Sequence, residues 1–167
     1  PREREEYMSI IKENHLAPYV ILHGRQAGQM LDLLFELCDF GIGSLGRHRS
    51  GITNIKTLKN REYAARGIPF IYSEIDEDFE NMPYIMKIPA NEEAVDIKQI
   101  LNFYNQLHIT PLEIRNSIRH LSWNNQMKKV LDEMQKKDKI NPNNNNIANF
   151  ATLYTNKFIP NKEKWPH

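Results

Sequence analysis

Cysteine is almost missing from this chain. Cys38 stands alone among 167 residues, which excludes an internal disulfide framework and a multi-cysteine zinc site, and suits a reducing compartment. Long apolar runs are missing too. None approaches the roughly 18 residues that a membrane span requires, and the opening PREREEYMSI has no signal-peptide pattern. Charge of one sign is scarce: the formal net charge is +1, so electrostatics alone gives no case for a nucleic-acid binder. There is no internal repeat. What remains is ordinary for a globular chain, 40% apolar and 26% charged, with room for one domain or one domain and a tail.

Position says more than the totals. Residues 139–167 hold four Lys and one Glu, leaving 18 basic and 20 acidic groups in residues 1–138. The expected organisation is therefore a near-neutral domain over 1–138 and a basic, Asn-rich tail over 139–167. INPNNNN at 140–146 is low in complexity. Beyond it Phe150, Leu153, Tyr154, Phe158 and Trp165 are scattered anchors of a segment expected to dock elsewhere.

Periodicity supplies the elements. Glu5–Asn14 predicts a short amphipathic helix with Tyr7, Met8, Ile10 and Ile11 on one stripe. The continuous apolar run YVILH at 19–23, after Pro18 and before Gly24, predicts a strand buried on both faces. Gln29–Leu37 has helical spacing, and DFGIGSL at 39–45 predicts a second strand whose glycines suit close backbone approach. Thr57–Arg66 predicts a helix capped by Thr57 and closed by Gly67. IPFIY at 68–72 and YIMKIP at 84–89 are the third and fourth strands, separated by the acidic stretch EIDEDFEN. From residue 92 only helices follow: Val95–Leu107, Pro111–Leu121 and Ser122–Gln135. The last has Ser122 as N-cap and Trp123, Met127, Val130, Leu131 and Met134 as its buried stripe.

Strands alternating with helices predict an α/β fold with a Rossmann-like parallel sheet and flanking helices. Four strands are fewer than a doubly wound domain usually has, so the chain is expected to be an incomplete domain. In such sheets ligands bind beyond the carboxyl ends of the strands, here Gly24–Gly28, Ser44–Asn54 and Tyr72–Phe79. The middle stretch runs through Arg47, His48, Arg49, Lys56, Lys59 and Arg61 into the Thr57-capped helix. Unpaired N–H groups at a helix start, with cations beside them, suit a phosphate or diphosphate. A solvated basic loop is the bland alternative. Asp76, Glu77, Asp78 and Glu80 lack the His or Ca-loop glycine of a metal site and are expected to be a solvated loop.

The segment from His23 to Tyr72 resembles the donor-binding, C-terminal half of GT-B glycosyltransferases, close to the large retaining class often called family 4. The resemblance rests on Gly24 ending a strand, Asp39 before the next, the small-residue loop Ser44–Gly51, Glu62 in a helix, and the A-x-G-x-P turn Ala65–Pro69. SWNNQMKKVL at 122–131 adds to it. The family's signature is two glutamates separated by seven residues. Glu62 matches the second, which binds the ribose hydroxyls of the nucleotide. Asn54 occupies the place of the first, so no catalytic residue is assigned. An amide can hydrogen-bond a sugar hydroxyl but brings no charge to a developing oxocarbenium ion. Either the donor is held differently, or turnover is slow, or the module is degenerate.

The resemblance implies phosphate contacts at Thr57 and Leu58, with Lys59, His48 and Arg49 as nearby cations. It implies further nucleotide-sugar contacts at Gly24, Arg25, Ser44 and Asn54. Lys59 and Arg61 are two positions apart on the helix, so at most one is expected to face the ligand. His23 is expected to order the strand end. The activity implied is transfer of a hexose-type sugar from a nucleoside-diphosphate sugar to an acceptor hydroxyl with retention, in surface polysaccharide or glycoconjugate synthesis. Neither metal nor cofactor is implied. The acceptor, a glycan or lipid-linked glycan, would be held by an N-terminal half missing here, and the fragment alone would catalyse little. A cytoplasmic setting, with room for peripheral membrane association of the full-length protein, goes with this assignment. A GT-B-fold sugar-nucleotide epimerase and a non-catalytic binding module are the alternatives.

Overall fold

The computed structural model describes residues 2–140, so the aromatic anchors expected between 150 and 165 lie outside the described residues. The chain divides after Cys38 into two compact units. In the first, α1 spans Arg2–Glu13 and α2 spans Gln29–Glu36. The expected strand at 19–23 does not form. Tyr19 is 83% exposed and Ile21 73%, and the segment starts in a turn, with the Tyr19 and Val20 N–H groups donating to the Leu16 carbonyl, and joins no ladder among the described residues. Its composition suits a buried strand, but a strand is stable only against a neighbour that takes its N–H and C=O groups. The stripe of α1 is likewise half exposed at Tyr7, Met8 and Ile10.

The second unit is mixed α/β, with a small open sheet of three parallel strands. In chain order these are β1 (Gly41–Ile42), β2 (Phe70–Tyr72) and β3 (Ile85–Lys87), and β2 lies in the centre. Gly41 pairs with Phe70, and Phe70 with Ile85. Among the described residues the sheet therefore has three strands, not the four expected. Gly43 explains how closely β1 approaches β2. A Cβ there would stand 2.8 Å from the Ile71 carbonyl oxygen and 2.9 Å from Tyr72 Cβ.

Helix α3 (Leu58–Arg66) connects β1 to β2, and α4 (Ile97–Asn105), α5 (Pro111–Ser117) and α6 (Trp123–Ile140) follow the sheet. The boundaries of α3 have local causes. Thr57 Oγ1 accepts from the Asn60 N–H, and Gly67, at φ +76°, ends the helix in the left-handed conformation. Gly67 is needed for space as well: a Cβ would lie 2.5 Å from the Pro111 carbonyl oxygen at the start of α5. A reciprocal capping box between Thr110 and Glu113 fixes that start. Asp96 caps α4 through the N–H groups of Lys98 and Gln99.

The core forms where α3 and α5 cover β2. Ala64, Phe70, Tyr72, Phe79, Tyr84, Ile114 and Ile118 are buried together. Phe70 is its centre, with ring centroids of Tyr63 and Phe79 at 5.6 and 5.5 Å. Burying such a side chain is worth about 1.5–3 kcal/mol. Helix α6 departs from expectation. Met127, Leu131 and Met134 are half-buried, whereas Trp123 is 80% exposed and Val130 47%. No helix among the described residues is long and apolar enough to cross a membrane.

Candidate functional site: the carboxyl edge of the parallel sheet

Because the three strands are parallel, their carboxyl ends share one edge, and three chain segments leave from it. Past β1, the Ser44 carbonyl accepts from Ser73 N–H at 3.0 Å and Ser73 Oγ at 3.2 Å. These bonds prolong the β1–β2 pairing into the loop. A 3₁₀ turn at Arg47–Ser50 follows, closed by Gly51 in the left-handed conformation. The chain then returns along the extension of β2. Ile55 N–H donates to the Ile75 carbonyl at 2.9 Å and Ile75 N–H to the Thr53 carbonyl at 2.8 Å, with Asn54 opposite Ile75.

The segment after β2 holds this loop by an inverted alternation. Glu74 and Asp76 point inward, 3% and 0% exposed, while Ile75 between them is 48% exposed. Glu74 Oε1 accepts from the Arg47 backbone N–H at 3.3 Å. Asp76 accepts from Asn60 Nδ2 at 3.3 Å and from Arg61 Nη1 at 3.2 Å. Arg61 also donates to Asp78 and to the Thr57 carbonyl. One buried carboxylate thus secures the 3₁₀ turn and the next secures the start of α3. The solvated acidic loop expected from the sequence is therefore corrected for Asp76, which is fully buried and ion-paired. A run of acids gave no sign of this, because the partners lie fifteen and more positions away. The alternation of E-I-D was the available signal, and it is legible only once the strand is known to continue.

A second network crosses the same edge. Lys87 Nζ donates to the Glu74 carbonyl and, at 2.9 Å, to Glu80, and it sits 4.1 Å from the Tyr72 ring centroid. Tyr72 Oη donates to Glu80 at 2.9 Å. Burial and the adjacent Glu80 carboxylate push the Tyr72 phenol well above its ordinary range. Burial alone would raise Glu80, but hydrogen bonds from Lys87 and Tyr72 outweigh it and hold the carboxyl below its usual value.

The residues expected to bind a nucleotide sugar take the following places. Gly24, at φ +69°, and Arg25, exposed, belong to the first unit and are described only there. His23 is exposed, and its carbonyl accepts from Gln26 Nε2. Ser44, His48, Arg49, Asn54, Thr57, Leu58 and Lys59 all lie on the stretch between β1 and the first turn of α3. Thr57 is the N-cap, while Leu58, Lys59 and Asn54 are exposed. Glu62 lies one turn further and pairs with Arg66 at 3.3 Å. Of the two helix cations weighed together, Arg61 turns to the buried acids and Lys59 to the surface.

The loop's positive charge is largely matched from within. Lys56 pairs with Glu77 and Asp78. His48 and Arg49 converge on Glu92, just after β3: His48 Nε2 is 2.7 Å from Oε1 and Arg49 Nε 2.9 Å. The hydrogen bonds from Arg49 and then His48 hold the Glu92 carboxyl at about 2. Among the described residues Arg47 and Lys59 keep their charges out of any ion pair. Also among them, no group of three or more His, Cys, Asp or Glu side chains is placed to hold a metal ion. The edge therefore carries mostly paired charge, with Arg47 and Lys59 as cations outside any ion pair among the described residues. No family model, curated protein or solved structure matches the chain.

Proposed function

We propose that the chain is the donor-binding half of a GT-B glycosyltransferase and takes a nucleoside-diphosphate sugar at the carboxyl edge of its parallel sheet. One feature carries the proposal: the path from β1 through the basic loop into the Thr57-capped start of α3, and back through β2. In a right-handed β–α–β crossover the helix begins at the edge where the first strand ends. The first N–H groups of α3 and the positive end of its dipole then serve as the diphosphate site. Lys59, in the first turn of α3, adds charge there. Glu62, one turn on, would exchange Arg66 for the ribose hydroxyls. The sequence resemblance between His23 and Tyr72 supports the sugar-transfer assignment, with retention of configuration and an acceptor hydroxyl held by another half of the enzyme.

Diphosphate stabilisation by helix amides and cations would replace a metal in charge balance at the leaving group. Calorimetry with a panel of nucleoside diphosphates tests this directly. A charge-assisted hydrogen bond is worth about 1.5–3 kcal/mol, and Glu62 gives up an exposed ion pair to make one. Glu62→Ala should weaken binding about tenfold. Because Arg66 shares that ion pair, the control is Asp132→Ala on α6. Equal affinity in Glu62→Ala and wild type removes the ribose role. Failure of every nucleotide to bind removes the proposal.

A further inference from the structure

The convergence of His48 and Arg49 on Glu92 has the form of an occupied oxyanion receptor. The two donors come from the 3₁₀ turn beyond β1, and the carboxylate comes from the segment leaving β3. Both segments start from the carboxyl edge of the sheet, the edge proposed for the diphosphate. Arg49 meets Glu92 through Nε and Nη2 together, the two-pronged geometry by which guanidinium recognises carboxylate and phosphate alike.

Three observations separate this contact from a structural ion pair such as Arg61–Asp76. First, its carboxylate is 60% exposed and the Arg49 side chain 70%, and exposed pairs hold weakly. Second, residues 90–94 belong to no helix or strand, so Glu92 can withdraw without breaking a ladder. Third, His48 Nδ1 is buried with no hydrogen-bond partner among the described residues. No hydrogen bond at Nδ1 fixes the tautomer of the ring, so Nε2 is free to donate to a different acceptor at the place of Glu92.

We propose that His48 and Arg49 are the receptor for the outer phosphate of the ligand, and that Glu92 is its internal occupant, displaced when phosphate binds. This rests on assigning a diphosphate site to the carboxyl edge. A phosphate brings more negative charge and more acceptor oxygens to the same two donors than a carboxylate does, so the exchange favours the ligand. Glu92 also keeps the receptor neutral while it is empty. Affinity for diphosphate is thereby set by a competition inside the chain.

The test titrates inorganic pyrophosphate into wild type, Glu92→Gln, Glu93→Gln and the double variant Glu92→Gln/Arg49→Gln, with thermal melts confirming the fold of each. Glu93 has the same charge one residue away and makes no ion pair among the described residues, so its variant measures the general effect of removing an acid. Glu92→Gln should bind about three- to fivefold tighter than wild type, the scale of one exposed ion pair. Glu93→Gln should stay near wild type, and Arg49→Gln should abolish the gain. In parallel, carbon-detected NMR of Glu92 in wild type should show its titration, held below the ordinary carboxyl range by Arg49 and His48, rising toward that range when pyrophosphate is saturating. Unchanged affinity in Glu92→Gln, an equal gain in Glu93→Gln, or a Glu92 titration that pyrophosphate does not move would overturn the competition while leaving a diphosphate site in place. No binding by wild type or by Glu92→Gln would overturn the receptor and the proposed function together.

Discussion

Arg61 Nη1 lies 3.2 Å from Asp76 Oδ2 and 2.9 Å from the carbonyl oxygen of Thr57. A single guanidinium thus ties the cap of α3 to a carboxylate buried beyond β2. This pair connects two of the three segments at the carboxyl edge, and its cost of removal can be measured. Asp76→Ala leaves Arg61 and Asn60 without a fully buried partner, and breaking such a pair costs about 3–5 kcal/mol. Urea unfolding should show a loss near the lower figure, since Asp78 still faces Arg61. Glu77→Ala, whose carboxylate is 80% exposed, should cost less than about 1 kcal/mol. Equal losses in the two variants would refute a structural role for Asp76.

Gly43 and Gly46 lie three residues apart and should respond differently to a Cβ. At Gly43 a Cβ meets Ile71 and Tyr72 below 3.0 Å, while at Gly46 nothing lies within 4 Å. Overpacking against backbone costs about 1–3 kcal/mol, so Gly43→Ala should lower the denaturation midpoint clearly. Gly46→Ala should leave it nearly unchanged. A neutral Gly43→Ala would mean that β1 and β2 are further apart than described.

Acid should release the Glu92 contact. Folding lowers this carboxyl from 4.5 to about 2 through Arg49 and His48. The contact therefore adds stability in full above the unfolded value, and this is lost as pH falls from about 4.5 through about 2. An NMR titration of wild type should place the Glu92 midpoint below the upper value. In Arg49→Gln it should return toward the upper one. A normal midpoint in wild type would contradict the geometry.

Trp123 is expected to report an aqueous environment. In a Trp165→Phe variant it is the sole indole, since the chain has two tryptophans. Its 80% exposure predicts red-shifted emission and acrylamide quenching comparable to that of a free indole. Blue-shifted, protected emission would restore the buried stripe expected from helical spacing.

What the sequence made legible was mainly local. Thr57 and Gly67 bound α3 because capping chemistry acts within a few residues, and Gly41 and Gly43 marked close approach because only a missing Cβ permits it. β2 and β3 fell where short apolar runs met turn residues. Four features escaped. YVILH has a strand's composition, but pairing requires a partner and composition does not supply one. Trp123 fits the apolar stripe of α6, yet helical spacing says which residues share a face and not whether anything covers it. The buried Asp76 and the Glu92 contact escaped because both depend on segments brought together by a parallel sheet. The basic loop itself was legible as a candidate anion site. That its cations are already engaged by Glu77, Asp78 and Glu92 was not, since net charge counts groups and is blind to who meets whom.

The parallel order β1–β2–β3 also bears on how this unit assembles. No strand has its neighbour across a hairpin, so each pairing must wait for a loop to close around the connection between its strands. Closure cost grows with loop length, and the stretch between β2 and β3 is shorter than that between β1 and β2. β2 and β3 should therefore zip first, with β1 added last through a ladder of only two residues. Reversed, the same order makes β1 the first strand to open. Native-state hydrogen exchange should then find Gly41 and Gly43, both donors to the β2 side, released at lower free energy than the amides between β2 and β3. The loop bearing His48 and Arg49 would be carried on the part of the sheet that breathes most, ready to open its grip without disturbing the aromatic core behind it.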